Sequence, residues 1–376
     1  MRARLSAAVL TVVVTVVLLV PLGAMHAQGA VDALKAAKPA KEKATKEMDA
    51  EAGEPSVPQL YRSEKVLPVT LTANLRQLHG DKSQTVVWRG ATLAYAGDDG
   101  KPVTLPITVH THGIWRLKNC QFPPLRLKIS GKTSKHTVFH DVGKPKLVNY
   151  CRDNEQYEQY VLQELQLYRI YQLLTPASHR VRLLRLSYVD SATAKTEATR
   201  YAFMLEDPDQ MAERLGGKVL KQKGAGPGDF DAGALGLAYL FEYMIANTDF
   251  SFAGLHNTEI VGREQGEILP VVYDFDFSGA VNTAYATADP SLKIRNVRTR
   301  LYRGYCLITP EVKLAAALFQ QRKAAIYALY SDEIGRLLSP NIVKETLAYF
   351  DEFYHTLDDP RSANGEIYEN CVQERR

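Results

Sequence analysis

The sequence predicts an α+β fold with two lobes: an N-terminal antiparallel sheet carrying one long helix, and a C-terminal lobe that is mainly helical. Three observations predict it. Between residues 66 and 129 apolar and polar residues alternate with period two, the mark of half-buried strands. Over 154–174 the period lengthens to that of a helix. Beyond residue 300 the long apolar-periodic runs start at Pro310 and Pro340. Proline suits the first turn of a helix, because the N–H it lacks would be unpaired there anyway.

In the first lobe, assigned to 57–206, segments 68–75, 85–89, 103–109 and 125–129 read as strands. Asp98-Asp99-Gly100 supplies a hairpin turn between two of them. The helix over 154–174 places Tyr157, Val161, Leu165, Tyr168 and Tyr171 on one stripe and stops at Thr175-Pro176. Strands at 181–188 and 200–205 follow, and the chain turns at Glu206-Asp207-Pro208. The second lobe, 207–376, begins with a loose glycine-rich stretch over 224–228. A helix over 232–246 then ends at Asn247-Thr248-Asp249, and a turn and buried strand over 266–273 end at Asp274. Helices over 310–330 and 340–357 complete the lobe, and there is no internal repeat.

Residues 1–27 carry Arg2 and Arg4 ahead of an apolar run over 7–22, the pattern of a secretory signal peptide. The run is shorter than the roughly 20 residues a spanning helix needs, so cleavage near Ala27 is expected over a permanent anchor. Residues 28–56 are rich in Ala, Lys and Glu without an aromatic residue and read as a flexible linker. The net charge of +4 falls to about +2 once the two signal arginines are gone, too near balance to indicate nucleic acid. An exported protein matures where thiols oxidise, so Cys120, Cys151, Cys306 and Cys371 predict up to two disulfides. Of the three connectivities, Cys120 with Cys151 and Cys306 with Cys371 closes the shortest loops. The expected location is the periplasm or the extracellular space.

Asp249, Asn257, Asp274 and Asp276 fall in a 28-residue window, and Asp249 and Asp274 end predicted apolar elements. Side chains so placed reach solvent while their backbone is held. Carboxylate and amide oxygens are hard ligands suited to Mg²⁺ or Mn²⁺ bound to phosphate, and a further carboxylate can accept the proton of an attacking hydroxyl. A catalytic Asp, then a metal-binding Asn, then a strand, then a metal-binding Asp is also the order of parts in protein-kinase-like phosphotransferases. Upstream, the strand over 125–129 resembles the kinase strand that carries a phosphate-holding lysine. Arg126 and Lys128 share a face of that strand, so either is a candidate for the phosphates. Glu164, with Glu158 in reserve, is the candidate partner on the long helix.

The chain resembles a divergent relative of the spore-coat CotH kinase-like family. That family's Arg-Gly-Asn-Ser, Lys-Lys-Pro-Tyr-Lys-Ile-Lys-Phe, Asn-x-Asp, His-Asn and Pro-Trp-Asp-Phe-Asp find counterparts in order. Here they are His112-Gly113-Ile114-Trp115, residues 122–129, Asn247-Thr248-Asp249, His256-Asn257 and Val272-Tyr273-Asp274-Phe275-Asp276. The family's lysine pair is replaced by Phe122-Pro123. The resemblance implies a protein-kinase-like fold, ATP and a divalent metal as cofactors, Lys128 on the phosphates, Asp249 as base, and Asn257, Asp274 and Asp276 as metal ligands.

The expected function is an exported atypical kinase-like phosphotransferase that moves the γ-phosphoryl of ATP to a hydroxyl of a protein or small molecule. Nucleic acid is not an expected partner, nor is a membrane beyond an uncleaved signal anchor. The alternatives are a non-catalytic, pseudokinase-type envelope binding module and a nucleotide-sugar transferase built on Asp-x-Asp. Other features have plainer readings. His256 reads as a structural hydrogen-bonding residue, and Asn247 as the residue that ends its helix. Arg295, Arg298, Arg300 and Arg303 read either as a phosphate-engaging cluster or as a solvated face. Trp88, Trp115 and the twenty tyrosines read as ordinary core and rim residues.

Overall fold

The first half closes into a seven-stranded barrel in the computed structural model, which describes residues 57–373; the expected strands at 68–75, 103–109 and 125–129 belong to it, whereas residues 85–88 form no strand and the one there begins at Arg89. The expected signal peptide and linker lie outside the described residues, all of which fall within one compact unit. In chain order the first half contains β1 (Leu67–Ala73), α1 (Leu75–Gly80), β2 (Arg89–Ala96), β3 (Pro102–Thr111) and α2 (Trp115–Asn119). It continues with β4 (Leu125–Lys128), β5 (Lys146–Val148), α3 (Glu155–Leu174), β6 (Val181–Asp190) and β7 (Thr196–Leu205). The strand order is β1-β2-β3-β4-β5-β7-β6, and β6 returns to β1 through a parallel pairing from Leu67↔Leu184 to Ala73↔Asp190.

That parallel pair overturns the expected kinase-like architecture. An open antiparallel lobe would leave β1 with a free edge, whereas β1 is paired antiparallel with β2 and parallel with β6. Alternation reveals which face of a strand is apolar and not which strand lies beside it, so closure between distant segments leaves no local trace. Inside the barrel, Val69, Leu71, Leu105, Val109, Leu125, Leu127, Leu147, Leu184 and Leu186 are buried. Closure also removes the exposed edges that an open sheet must protect.

The second half contains α4 (Pro208–Arg214), β8 (Gly217–Leu220), α5 (Ala232–Met244), β9 (Thr258–Arg263), β10 (Ile268–Val272), α6 (Thr309–Ala328) and α7 (Pro340–Asp358). The mainly helical lobe was expected to hold one buried strand over 266–273, but it holds three, because β8, β9 and β10 form an antiparallel sheet of order β10-β9-β8. The strand β10 delivers Asp274 two residues past its end.

Helix α3 holds the two halves on one core. Its start is capped by the Asn154 side chain, which accepts the Tyr157 N–H at 3.1 Å. Its end falls at Thr175, which takes an extended conformation because proline follows. Fifteen of its 20 residues are buried, so the helix is covered on more than the single stripe its pattern suggested. Arg169 on this helix donates to Glu64 and Asp332 at 2.6 Å each, clasping segments from the two halves. Two disulfides, Cys120–Cys151 and Cys306–Cys371, pair the cysteines in the shortest-loop arrangement.

Candidate active site

The site begins with a strand too short to show a pattern. On β5, Leu147 points into the barrel, so Lys146 and Val148 leave it on the opposite face. Cross-strand pairing sets His110, Arg126 and Lys146 in one row on that outer face. The Lys146 side chain is 6% exposed, and its ammonium donates to Asp274 Oδ1 at 2.8 Å. Arg116, from α2, approaches Asp276 Oδ2 at 3.8 Å and donates to the Asn149 carbonyl. The Cys120–Cys151 disulfide ties the end of α2 to the segment after β5, fixing the two cations relative to one another.

Three carboxyl groups meet these two cations. Burial would raise the Asp274 carboxyl, but the adjacent Lys146 and Arg116 bring it below the usual range, so it is ionised. Asp276 is pushed up to about 6 by burial and by the neighbouring Asp274 charge. Glu164 of α3 is raised well above an ordinary carboxyl, first by burial and then by Asp276 and Asp274, which favours its uncharged form. Its Oε1 is buried without a hydrogen-bond partner among the described residues. Two cations therefore face three carboxyl groups, of which Asp274 is held ionised and Asp276 and Glu164 are shifted toward the acid form. Tyrosines complete the support: Tyr285 donates to Asp276 Oδ2 at 3.0 Å, and the Asp274 N–H donates to Tyr168 Oη at 2.8 Å.

Asp274 is held with φ +66°, in the left-handed region that costs a non-glycine residue of order 1 kcal/mol or more. Asn257 shares this conformation at φ +51°. Two candidate ligand positions thus sit in strained backbone that the surrounding pairing enforces, since the Tyr273 N–H donates to the Asn257 carbonyl at 3.1 Å.

The opposing loop follows α5. Ala246, not Asn247, takes the left-handed turn at φ +50°, and the Asn247 side chain instead accepts the Asp249 N–H at 3.0 Å. A two-way backbone bridge between Ser251 and His256 folds the loop back and brings His256 Nε2 within 2.9 Å of Asp249 Oδ1. That hydrogen bond raises the His256 pKa, favouring an imidazolium beside the carboxylate. Asn257 donates through its amide nitrogen to Asp249 O at 2.7 Å and Oδ2 at 3.1 Å, which turns its amide oxygen away from Asp249. Asp249, His256, Asn257, Asp274, Asp276, Lys146, Arg116 and His112 all line one cavity of about 470 Å³. Burial and the nearby Lys146 and Arg126 push His112 down to about 3, so it enters this cavity as a neutral ring.

The structure brings together Asp249, Asn257, Asp274, Asp276 and Glu164 from the sequence-based selection. Lys128 is exposed on β4, one rung along from the site, and Arg126 donates to the Lys144 carbonyl at 3.1 Å; neither lines the cavity. Glu158 is committed to the barrel, where it accepts from Arg185 and from the Tyr201 N–H, each at 2.6 Å. The arginines past the Asp pair brace loops: Arg298 donates to Gly279 O, Arg300 to Met244 O and Glu352, and Arg303 to Thr248 O and Phe250 O, while Arg295 is exposed. Sequence reasoning missed Lys146, Arg116 and His112. The one available signal was the basic, cysteine-flanked context of Arg116 and Lys146, since Cys120 and Cys151 mark the two segments that must meet.

The donor set fits a divalent cation carried by phosphate. Asp274 offers its second carboxylate oxygen and Asn257 its outward-turned amide oxygen, both hard ligands. Among the described residues no three His, Cys, Asp or Glu side chains converge as a complete metal cage. Magnesium accepts such partial sites because substrate phosphates and waters supply its remaining ligands. No protein-family model matches this chain, and no curated protein matches it with significance.

Proposed function

We propose that the protein is an exported phosphotransferase that moves the γ-phosphoryl of ATP to an acceptor hydroxyl. The observation that carries this reading is the cavity itself, in which the Lys146–Asp274 pair, Asn257 and the Asp249 carboxylate converge. After bonding Asp274, Lys146 retains two N–H donors without partners among the described residues, and these take the phosphate role that sequence assigned to Arg126 or Lys128. Arg116 adds a second, buried positive charge. Asp249 accepts the acceptor's proton as the acceptor oxygen bonds phosphorus and ADP departs, with His256 and Asn257 holding the carboxylate in place. A divalent ion held by Asp274 and Asn257, with Asp276 nearby, would neutralise phosphate charge. Motif order shared with CotH-like proteins supports the same reading, which does not depend on their fold. Export is supported by the two disulfides and by the amino-terminal sequence pattern. No helix among the described residues is long and apolar enough to cross a membrane.

The test uses purified protein with ATP and Mg²⁺ or Mn²⁺, read by thermal stability and by ADP release. Nucleotide at a hundred times its Kd should add about 2.7 kcal/mol of stability. Asp249→Asn should keep that gain and lose transfer, whereas Asp274→Ala should lose both. Stabilisation without transfer in the wild type would make the protein a non-catalytic binding module. An unchanged melting temperature with ATP and either metal would refute nucleotide binding altogether.

A further inference from the structure

Exposed apolar side chains cluster at and beside the same cavity. Of the nine large hydrophobic side chains exposed among the described residues, five are Val86, Val87, Trp88, Ile114 and Trp115. Exposed apolar residues scattered singly need no explanation, but a cluster around a pocket does. The two segments that carry them are joined, since Gln84 Nε2 donates to the Gly113 carbonyl at 3.2 Å. Val86, Ile114 and Trp115 line the cavity directly. Trp88 packs against His110, another lining residue, with ring centroids 4.4 Å apart. Of the chain's two tryptophans, Trp115 therefore lines the cavity and Trp88 packs on a residue that lines it.

Trp115 is also tied to the polar site. It stacks on Tyr285 at 4.9 Å and meets Phe277 edge-on at 5.8 Å. Tyr285 is the residue that donates to Asp276. Ile114 is 68% exposed, so most of its side chain faces solvent. Leu255 reaches the same cavity beside His256 and Asp249. The lining thus combines an indole and aliphatic surface with the Asp249 carboxylate in one cavity of about 470 Å³.

Resting on the phosphotransferase reading, we infer that the acceptor carries its hydroxyl on an aromatic ring, a phenol of the tyrosyl type, and that Trp115 and Ile114 hold that ring. A phenol presents a flat apolar body with one polar tip, which matches an aromatic rim leading to a carboxylate. In the transfer the phenolic O–H bond breaks, its proton goes to Asp249, the phenolic oxygen bonds the γ-phosphorus, and the bond to ADP breaks.

The two tryptophans make their own reporter. N-acetyl-L-tyrosinamide is titrated into the intact protein while tryptophan fluorescence is excited where tyrosine does not absorb, with N-acetyl-L-serinamide as the control. A saturable change is expected with the tyrosine amide alone. Trp115→Ala and Ile114→Glu should each weaken it roughly three- to tenfold, the size of one aromatic contact, and Trp115→Phe should retain it. Binding of the tyrosine amide should fall more than stabilisation by ATP in Trp115→Ala and Ile114→Glu. Ile114→Glu guards against misfolding, because that side chain is on the surface. The inference is overturned if the serine amide binds as well, or if Trp115→Ala weakens ATP and spares the tyrosine amide, which would give the rim to the nucleobase. Binding of the tyrosine amide without its phosphorylation would refute the transferase reading and leave the aromatic site standing. Equal phosphorylation of both amides would do the reverse.

Discussion

Replacing Lys146 by Met tests the buried charge cluster most directly. The change keeps the length and apolar stem of the side chain, which is 6% exposed, and deletes one charge 2.8 Å from Asp274. Removing one member of a buried pair typically costs 3–5 kcal/mol, because the partner is left uncompensated. Asp274 is 26% exposed, so water recovers part of its solvation and the lower end, about 3 kcal/mol, applies at pH 7. The sign of the pH dependence follows from the carboxyl groups. In the wild type the Asp274 pKa lies below its unfolded value, so its contribution is present above that value and is lost as pH falls through the folded one. Without Lys146, burial and Asp276 drive the folded carboxyls upward, and the variant takes up a proton that the wild type does not. The difference between the two proteins should therefore narrow by about 1 to 2 kcal/mol between pH 7 and pH 5, each proton per pH unit being worth about 1.4 kcal/mol. Urea unfolding with the disulfides intact, at pH 7, 6 and 5, measures it as a shift in midpoint at constant slope. The double variant Lys146→Met with Asp274→Asn should be more stable than Lys146→Met alone, giving a coupling of about 2 kcal/mol. A difference that ignores pH, together with additive single changes, would refute the ion pair as the source of the effect.

Three further outcomes follow from the same structure. Glu164→Gln should change stability by less than about 1 kcal/mol at pH 7, because burial favours the uncharged form of the carboxyl and the amide has its shape; a larger loss in the urea midpoint would refute that. Asp276 has a folded pKa raised to about 6, so its contribution is full below the unfolded value and declines as pH rises from about 4 through 6; Asp276→Asn should flatten that decline in a midpoint-against-pH series. Breaking the Cys306–Cys371 bridge, which spans 65 residues, with Ser at both positions should cost about 4 kcal/mol by the chain-entropy relation, read by calorimetry under non-reducing conditions.

Local signals were legible and long-range ones were not. The helix expected over 154–174 is found at Glu155–Leu174, and the turn at Asp98-Asp99-Gly100 joins β2 to β3, with Gly100 at φ +76°. A helical period spans many residues and a hairpin turn has its own chemistry, so both are written locally. The barrel is closed by β1 against β6, a pairing between distant segments that alternation cannot specify. The lysine of the site escaped for a different reason. β5 is three residues long, below the length at which any period is visible, while β4 advertised Arg126 and Lys128 through a clear alternation. Arg116 was hidden in a five-residue helix with no pattern of its own. The acidic residues were readable because they sit at the ends of strongly apolar elements, α5 and β10, whose boundaries are sharp.

The two sides of the cavity differ in how readily they can open. Lys146 belongs to a ring of strands in which no member can slide without breaking bonds to both neighbours, so its amide should exchange with solvent only when the barrel comes apart. Asp249 and Asn257 depend on a loop closed by one backbone bridge and a few side-chain bonds. Hydrogen exchange should therefore be fast over 249–257 and slow over 125–128 and 146–148. On that clock the cations form a fixed anvil, and the loop carrying Asp249 is the part free to adjust to whatever is laid on it.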